Sequence, residues 1–192
     1  MEAIEKVLTF IVEIEKLKDV QRNTKPVGLE RYENSAEHSW HVCLSALMLH
    51  SFSNEAVNID RVIKMLLIHD LGEIDAGDTI VYASETAAVK KEEIAGIQRI
   101  LSLLPDDMGN DFFTLWHEFE SGDTADARFA KAIDRVPPLL HNIHGDGHSW
   151  KKHGISKEQV FSVNQRIGQG SEVLWSVMRG KLEEAVDQGI LE

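Results

Sequence analysis

The amino-acid sequence predicts an all-α fold, and three observations carry that prediction. Apolar residues recur at helical spacing along nearly the whole chain, no stretch alternates with period two for long enough to form a strand, and helix-start and helix-stop signals punctuate the apolar runs. The 192 residues suit one domain of ordinary size, expected over 1–192 with a core at about 5–145 and C-terminal helices at about 156–188. A content of 43% hydrophobic and 27% charged residues supplies enough apolar side chains for a buried core.

Ile4, Val7, Leu8, Ile11, Ile14 and Leu17 form the stripe of a first helix at about 3–18. Asn23, Pro26 and Gly28 break the pattern, so 19–34 reads as an exposed connection, unusually basic for this chain. Ser35 is the expected N-cap of a helix at about 36–52, and Asn58 or Asp60 that of a third helix through Val62, Met65, Leu66 and His69. Gly72 and Gly77 open a loop expected to end near Ser84. Ile94, Ile97, Leu101 and Leu104 mark a longer helix stopped by Pro105, and Phe112, Leu115, Trp116 and Phe119 the next. A helix is expected over 125–143, kinked or interrupted by Pro137 and Pro138, and then a loop over 144–154 rich in Gly and His. Ser156 and Gln159 form a capping box for a helix at about 157–168, and Val173, Leu174, Met178, Leu182 and Val186 build the last helix near 172–187.

Charge and cysteine content narrow the function. Twenty Lys and Arg against 32 Asp and Glu leave a net charge of −12, which disfavours a nucleic-acid polymer as partner and requires a local cation for any phosphorylated ligand. Cys43 is the only cysteine, so no intrachain disulfide forms, and it reads as a small buried hydrophobe. No basic start followed by an apolar run marks the N-terminus and no window reaches the ~18 apolar residues of a membrane span, so the expected compartment is the cytoplasm, with no membrane partner.

The residues that carry chemistry are dispersed: His38, the adjacent pair His69 and Asp70, and Asp134. Two imidazoles and two carboxylates are donors of the kind a divalent cation accepts. The run from Met65 to Ile68 must be buried, so an ionisable pair at its end needs a partner to offset desolvation. A bound cation is one such partner; a core hydrogen bond for His69 and a neighbouring Arg or Lys for Asp70 are the other. A rival donor set, His141, His144, Asp146, His148 and His153, repeats no zinc spacing and reads as surface loop or as a cover for the cleft. His41, His50, His117 and Glu118 read as structural.

These residues, with the segments around them, resemble the HD-domain superfamily of metal-dependent phosphohydrolases, and within it the 5′-deoxynucleotidase-like branch. The blocks that match are Ser35 to Ser39, His69 to Asp78 with the pattern H-D-x-x-E-x-x-x-G-D, and Phe129 to Arg135. The resemblance implies a helical bundle, a divalent metal held by His38, His69, Asp70 and Asp134, and release of phosphate from nucleoside 5′-monophosphates. It also implies catalytic roles for Glu73 and Asp78, Asp78 near substrate as well, and phosphate binding by Arg22, for which Lys25, Arg31 and Tyr32 are nearby alternatives. Asn23 stands where bacterial deoxynucleotidases carry an aromatic residue against the sugar, which leaves sugar preference open. Metal identity, among Mn²⁺, Co²⁺, Mg²⁺, Fe²⁺ and Zn²⁺, also stays open. Other HD chemistries on phosphodiesters or nucleoside triphosphates, and a nucleotide-binding regulator without turnover, are the alternatives. Apolar faces on the first and last helices, together with the resemblance, lead us to expect a homodimer.

Overall fold

The computed structural model describes residues 1–83 and 86–192, and among them the backbone is helical, with one isolated antiparallel bridge between Gln21 and Asn34. The first helix, α1 (Glu2–Glu13), tightens into 3₁₀ turns over Ile14–Asp19. The connection after it is closed by the Gln21–Asn34 bridge, so its two ends lie side by side.

Helix α2 (Ser35–Leu49) is capped by Asn34 rather than by Ser35. The Asn34 side chain accepts from the Glu37 N–H while the Glu37 carboxylate accepts from the Asn34 N–H, a complete capping box. That frees the Ser35 hydroxyl for other use. Asn58 caps α3 (Ile59–Ile68) as one of its two expected residues, and Thr86 and Thr124 cap α5 (Ala87–Leu101) and α7 (Ala125–Asp134). Between α3 and α5 the loop after Gly72 contains one helical turn, α4 (Glu73–Ala76); its expected end near Ser84 lies outside the described residues. Pro105 precedes α6 (Asp106–Ser121), which ends at Gly122 in the left-handed conformation.

The helix expected over 125–143 is two helices. Pro137 and Pro138 have no N–H to offer the carbonyls of the preceding turn, so α7 ends at Asp134 and α8 (Val136–Ile143) starts anew with proline in its first turn, where the missing donor costs nothing. The region 144–154 is not all loop either: α9 (His148–His153) lies between Gly147 and Gly154, with φ of +66° and +62°. Six residues without an apolar stripe give no periodic signal. The Ser156–Gln159 capping box forms as expected and opens α10 (Lys157–Asn164), followed by α11 (Ile167–Gly170) and α12 (Glu172–Asp187).

Three buried clusters hold these helices. Val42, Ala46, Met65, Leu66, Phe129 and Ile133 join α2, α3 and α7; Leu17, Ile68, Ile97, Leu101 and Trp116 join the first turns to α5 and α6; Leu139, Trp150, Val160, Ile167 and Leu182 join α8 to α12. Cys43 is buried in the first cluster. Helix α11 also packs on α7, and Gly170 is what lets it: a Cβ there would stand 2.4 Å from the Arg128 carbonyl oxygen and 2.8 Å from the Ala132 Cβ.

Gly170→Ala should therefore lower the unfolding free energy in urea by about 2 kcal/mol through overpacking. Gly180→Ala, in the middle of α12 where nothing lies within 4 Å of the added methyl, should raise it by roughly 0.5–1 kcal/mol. Equal midpoints for the two variants would show that α11 does not rest on α7 as described.

Candidate active site

His38 sits one turn into α2, His69 and Asp70 follow the last residue of α3, and Asp134 ends α7. Because those three helices share one core cluster, the side chains converge although 96 residues separate the first from the last. His38 Nε2 donates to Asp134 Oδ1 at 2.9 Å, and the same oxygen lies 3.3 Å from His69 Nε2. Asp70 Oδ1 is 3.0 Å from that His69 nitrogen, and both histidines are buried.

The His69 ring is fixed from behind. Its Nδ1–H donates to the Leu66 carbonyl at 2.7 Å, and the His69 carbonyl accepts from the Trp116 indole N–H at 3.2 Å. With Nδ1 carrying that proton, Nε2 is the position left for a ligand bond. It is buried and makes no hydrogen bond, although two carboxylate oxygens face it. His38, His69 and Asp134 offer ligand atoms within 4.8 Å of one another, so this donor set suits a divalent cation.

Arg22 lies 2.8 Å from Asp70, 3.6 Å from Asp78 and 4.0 Å from Glu73 through Nη1, and 3.4 Å from Glu33 through Nε. Asp70 thus has the neighbouring cation that is the alternative to a bound metal, one of its oxygens meeting Arg22 while the other faces His69, and it stands beside rather than within the group of His38, His69 and Asp134. Glu73 accepts from the Ser35 hydroxyl at 2.7 Å, and Asp78 from the Asn23 amide at 3.0 Å. A cavity of about 200 Å³ is walled by Arg22, Asp70, Glu73, Asp78, Asp134 and Arg135 among others. The environment splits the carboxyls into two kinds. Burial and then the Asp70 charge push Glu73 well above the usual carboxylate range, and burial raises Asp78 against the pull of Arg22. Burial opposes ionisation of Asp134 and Asp70 too, but the histidine rings, with Arg22 for Asp70, hold them below that range. His69 in turn is raised well above its ordinary value by Asp70 and Asp134, against the effect of burial.

The family profile described as HD domain matches residues 14–175. The chain belongs to the HD-domain family. A crystal structure described as a "Predicted metal-dependent phosphohydrolase" from Magnetospirillum magnetotacticum MS-1 is 42% identical, covers 100% of this chain and 99% of its own, and superposes with a TM-score of 0.94. Among curated relatives, "5'-deoxynucleotidase HDDC2" of Xenopus laevis is 30% identical over 117 residues, 60% of this chain and 56% of that protein. The Homo sapiens protein of the same name is 28% identical over 115 residues, 59% of this chain and 54% of its own length. The chain thus spans little more than half the length of these two relatives.

The HD domain does not draw its late histidines into one cluster. Among the described residues, His141 is the one of these that joins a metal-capable group, with Glu33 and His41, while His148 faces Tyr32. Arg31 pairs with Glu37, Tyr32 accepts from Lys152, and Lys25 pairs with Glu30, so none of the three faces Asp134. His50 bonds the Leu47 carbonyl and Glu118 pairs with Arg61 and Thr124, structural roles as read from the sequence. Sequence reading missed Glu33, which is 2% exposed and stands within 3.8 Å of Arg22, His38 and His141. A lone acid in a polar connection carries no periodic or motif signal. It also missed the Ser35 contact to Glu73, because a serine before an apolar run reads as a cap.

Burial pushes the Cys43 thiol up to about 11, so almost no thiolate exists at neutral pH. Native protein should react with a thiol-specific reagent at pH 7.5 at least tenfold slower than protein in denaturant. Equal rates would place Cys43 outside the α2–α3 core.

Proposed function

We propose that this HD-domain protein is a metal-dependent phosphohydrolase that releases phosphate from nucleoside 5′-monophosphates, deoxynucleotides among them. The observation that carries the reading is His69 Nε2, buried, without a hydrogen bond, and turned toward Asp70 and Asp134 beside a carboxylate-walled cavity. The 5′-deoxynucleotidase names of its relatives support the substrate class. His38, His69, Asp70 and Asp134 would hold the cation. When bound, such a cation polarises a phosphoryl oxygen and makes a nearby water more acidic.

The chain's own groups supply the rest. Glu33 faces His38 Nδ1 at 3.5 Å and orients that ring, as a carboxylate behind a ligating imidazole does. Glu73, held by Ser35 and made more basic by burial and by Asp70, would in its ionised form accept a proton from water in the cavity. Asp78, fixed by Asn23, presents a second oxygen to the water or to the sugar. Arg22 offsets charge on the phosphoryl oxygens. A homodimer belongs to the same reading, supported by exposed Ile4, Leu8, Ile11 and Val12 on α1 and Val173 and Val177 on α12. No helix among the described residues is long and apolar enough to cross a membrane.

Stripping the protein of metal and adding back Mn²⁺, Co²⁺, Mg²⁺ or Zn²⁺ singly should restore phosphate release from one or more ribo- or deoxyribonucleoside 5′-monophosphates. Asp70→Ala should abolish both metal retention and turnover with far-UV circular dichroism unchanged. Metal-loaded protein that releases no phosphate from any of them would refute the reading.

Protons compete with the cation for the imidazole nitrogens. His69 and His38 are held above their ordinary values by the neighbouring carboxylates, so their protons compete more strongly with the cation and are released as pH rises. Mn²⁺ affinity should therefore increase from pH 6 to pH 8, and Mn²⁺ addition at pH 6.5 should release protons into weak buffer. An affinity flat across that range would remove the histidines from the ligand set.

A further inference from the structure

Arg22 is surrounded by four carboxylates, which leaves the anion-binding duty of this acidic chain incompletely served. One guanidinium nearby is in the opposite situation. Arg135 follows Asp134 directly at the break between α7 and α8, and its Nη1 is buried with no hydrogen-bond partner. No ion pair to it forms among the described residues.

Arg135 also occupies a wall. It lines the 200 Å³ cavity with Asp70 and Asp134, and it lines a second cavity of about 470 Å³ on its other side, the two sharing Glu73, Thr79, Ile80 and Val81. The second cavity adds Lys131 and Arg166 to that wall. The acids there are engaged elsewhere: Glu93 and Glu120 meet Lys90, and Glu73 meets Ser35. Lys131 Nζ rests 5.0 Å over the Phe119 ring. Three cations thus share one wall; Asp134 acts on Arg135 and Lys131, and Glu120 on Lys131, but among the described residues none of these acids forms an ion pair with them.

A guanidinium nitrogen buried without a hydrogen-bond partner is costly unless a ligand supplies the acceptor, and the planar fork matches two oxygens of a phosphate. We propose that Arg135 binds the phosphoryl group of the substrate and the orthophosphate product, with Lys131 and Arg166 raising the local potential behind it. This rests on the phosphohydrolase reading and adds a phosphate-binding residue to it. Positive charge from this side favours entry of a dianion into a cavity that Asp70, Glu73, Asp78 and Asp134 also line.

The test is calorimetric titration of Mn²⁺-loaded protein with inorganic phosphate, alongside nucleotide kinetics. Arg135→Ala should bind phosphate about 10- to 100-fold more weakly, the loss expected for a charge-assisted hydrogen bond, and raise KM more than it lowers kcat. Arg135→Lys should recover part of the binding, and both variants should keep wild-type Mn²⁺ affinity and helical content. Phosphate affinity unchanged in Arg135→Ala, no phosphate binding by the wild type, or loss of Mn²⁺ affinity or helicity in both variants would overturn the assignment. Arg135-dependent phosphate binding without nucleotide hydrolysis would uphold it and refute the nucleotidase reading alone.

Discussion

Asp134 Oδ1 meets two imidazoles, His38 at 2.9 Å and His69 at 3.3 Å, and the arrangement of α2, α3 and α7 is built around that meeting. None of the three side chains is well satisfied alone. A half-buried carboxylate and two buried rings each carry a desolvation cost that the others, or a cation among them, offset. The apolar cluster of Val42, Met65, Leu66, Phe129 and Ile133 supplies the surplus that lets the polar triad exist. Trp116 and the Leu66 carbonyl set the angle at which His69 enters it.

Around that centre the charges are graded. Asp70 and Asp134 stay ionised beside histidines, whereas Glu73 and Asp78 are pushed toward the neutral form a few ångströms away. Separation of carboxyl behaviour by environment within one cavity is what acid–base work at neutral pH requires. Arg22 ties the two kinds together, since a single guanidinium reaches Asp70, Glu73 and Asp78. Glu33 extends the same network backward to His38 and His141.

Much of this was legible in the sequence, for identifiable reasons. Long amphipathic helices and the pairing of His69 and Asp70 at the end of an apolar run leave strong local signals. The break at Arg135 was half legible: two prolines announce an interruption, but whether a helix bends or restarts depends on packing. The one-turn helices α4 and α11 and the six-residue α9 are too short to show periodicity and are held by tertiary contacts such as Gly170 against Arg128. Glu33 was invisible because its importance comes from burial, and burial of a residue in an irregular connection is decided by the bridge that folds Gln21 onto Asn34.

The site's groups do not share one kind of support. His38, His69 and Asp134 stand at or within long helices that the core cannot release, while Glu73 starts a helix of four residues and Asp78 follows it in an open segment. A change of length or composition after Gly72 would reshape the cavity wall and leave the three-helix centre untouched. The architecture therefore gives the site two kinds of support, core helices that fix His38, His69 and Asp134 and a short connection in which Glu73 and Asp78 are held by single hydrogen bonds to Ser35 and Asn23, so the shape of the pocket answers to a handful of bonds while its centre answers to the whole core.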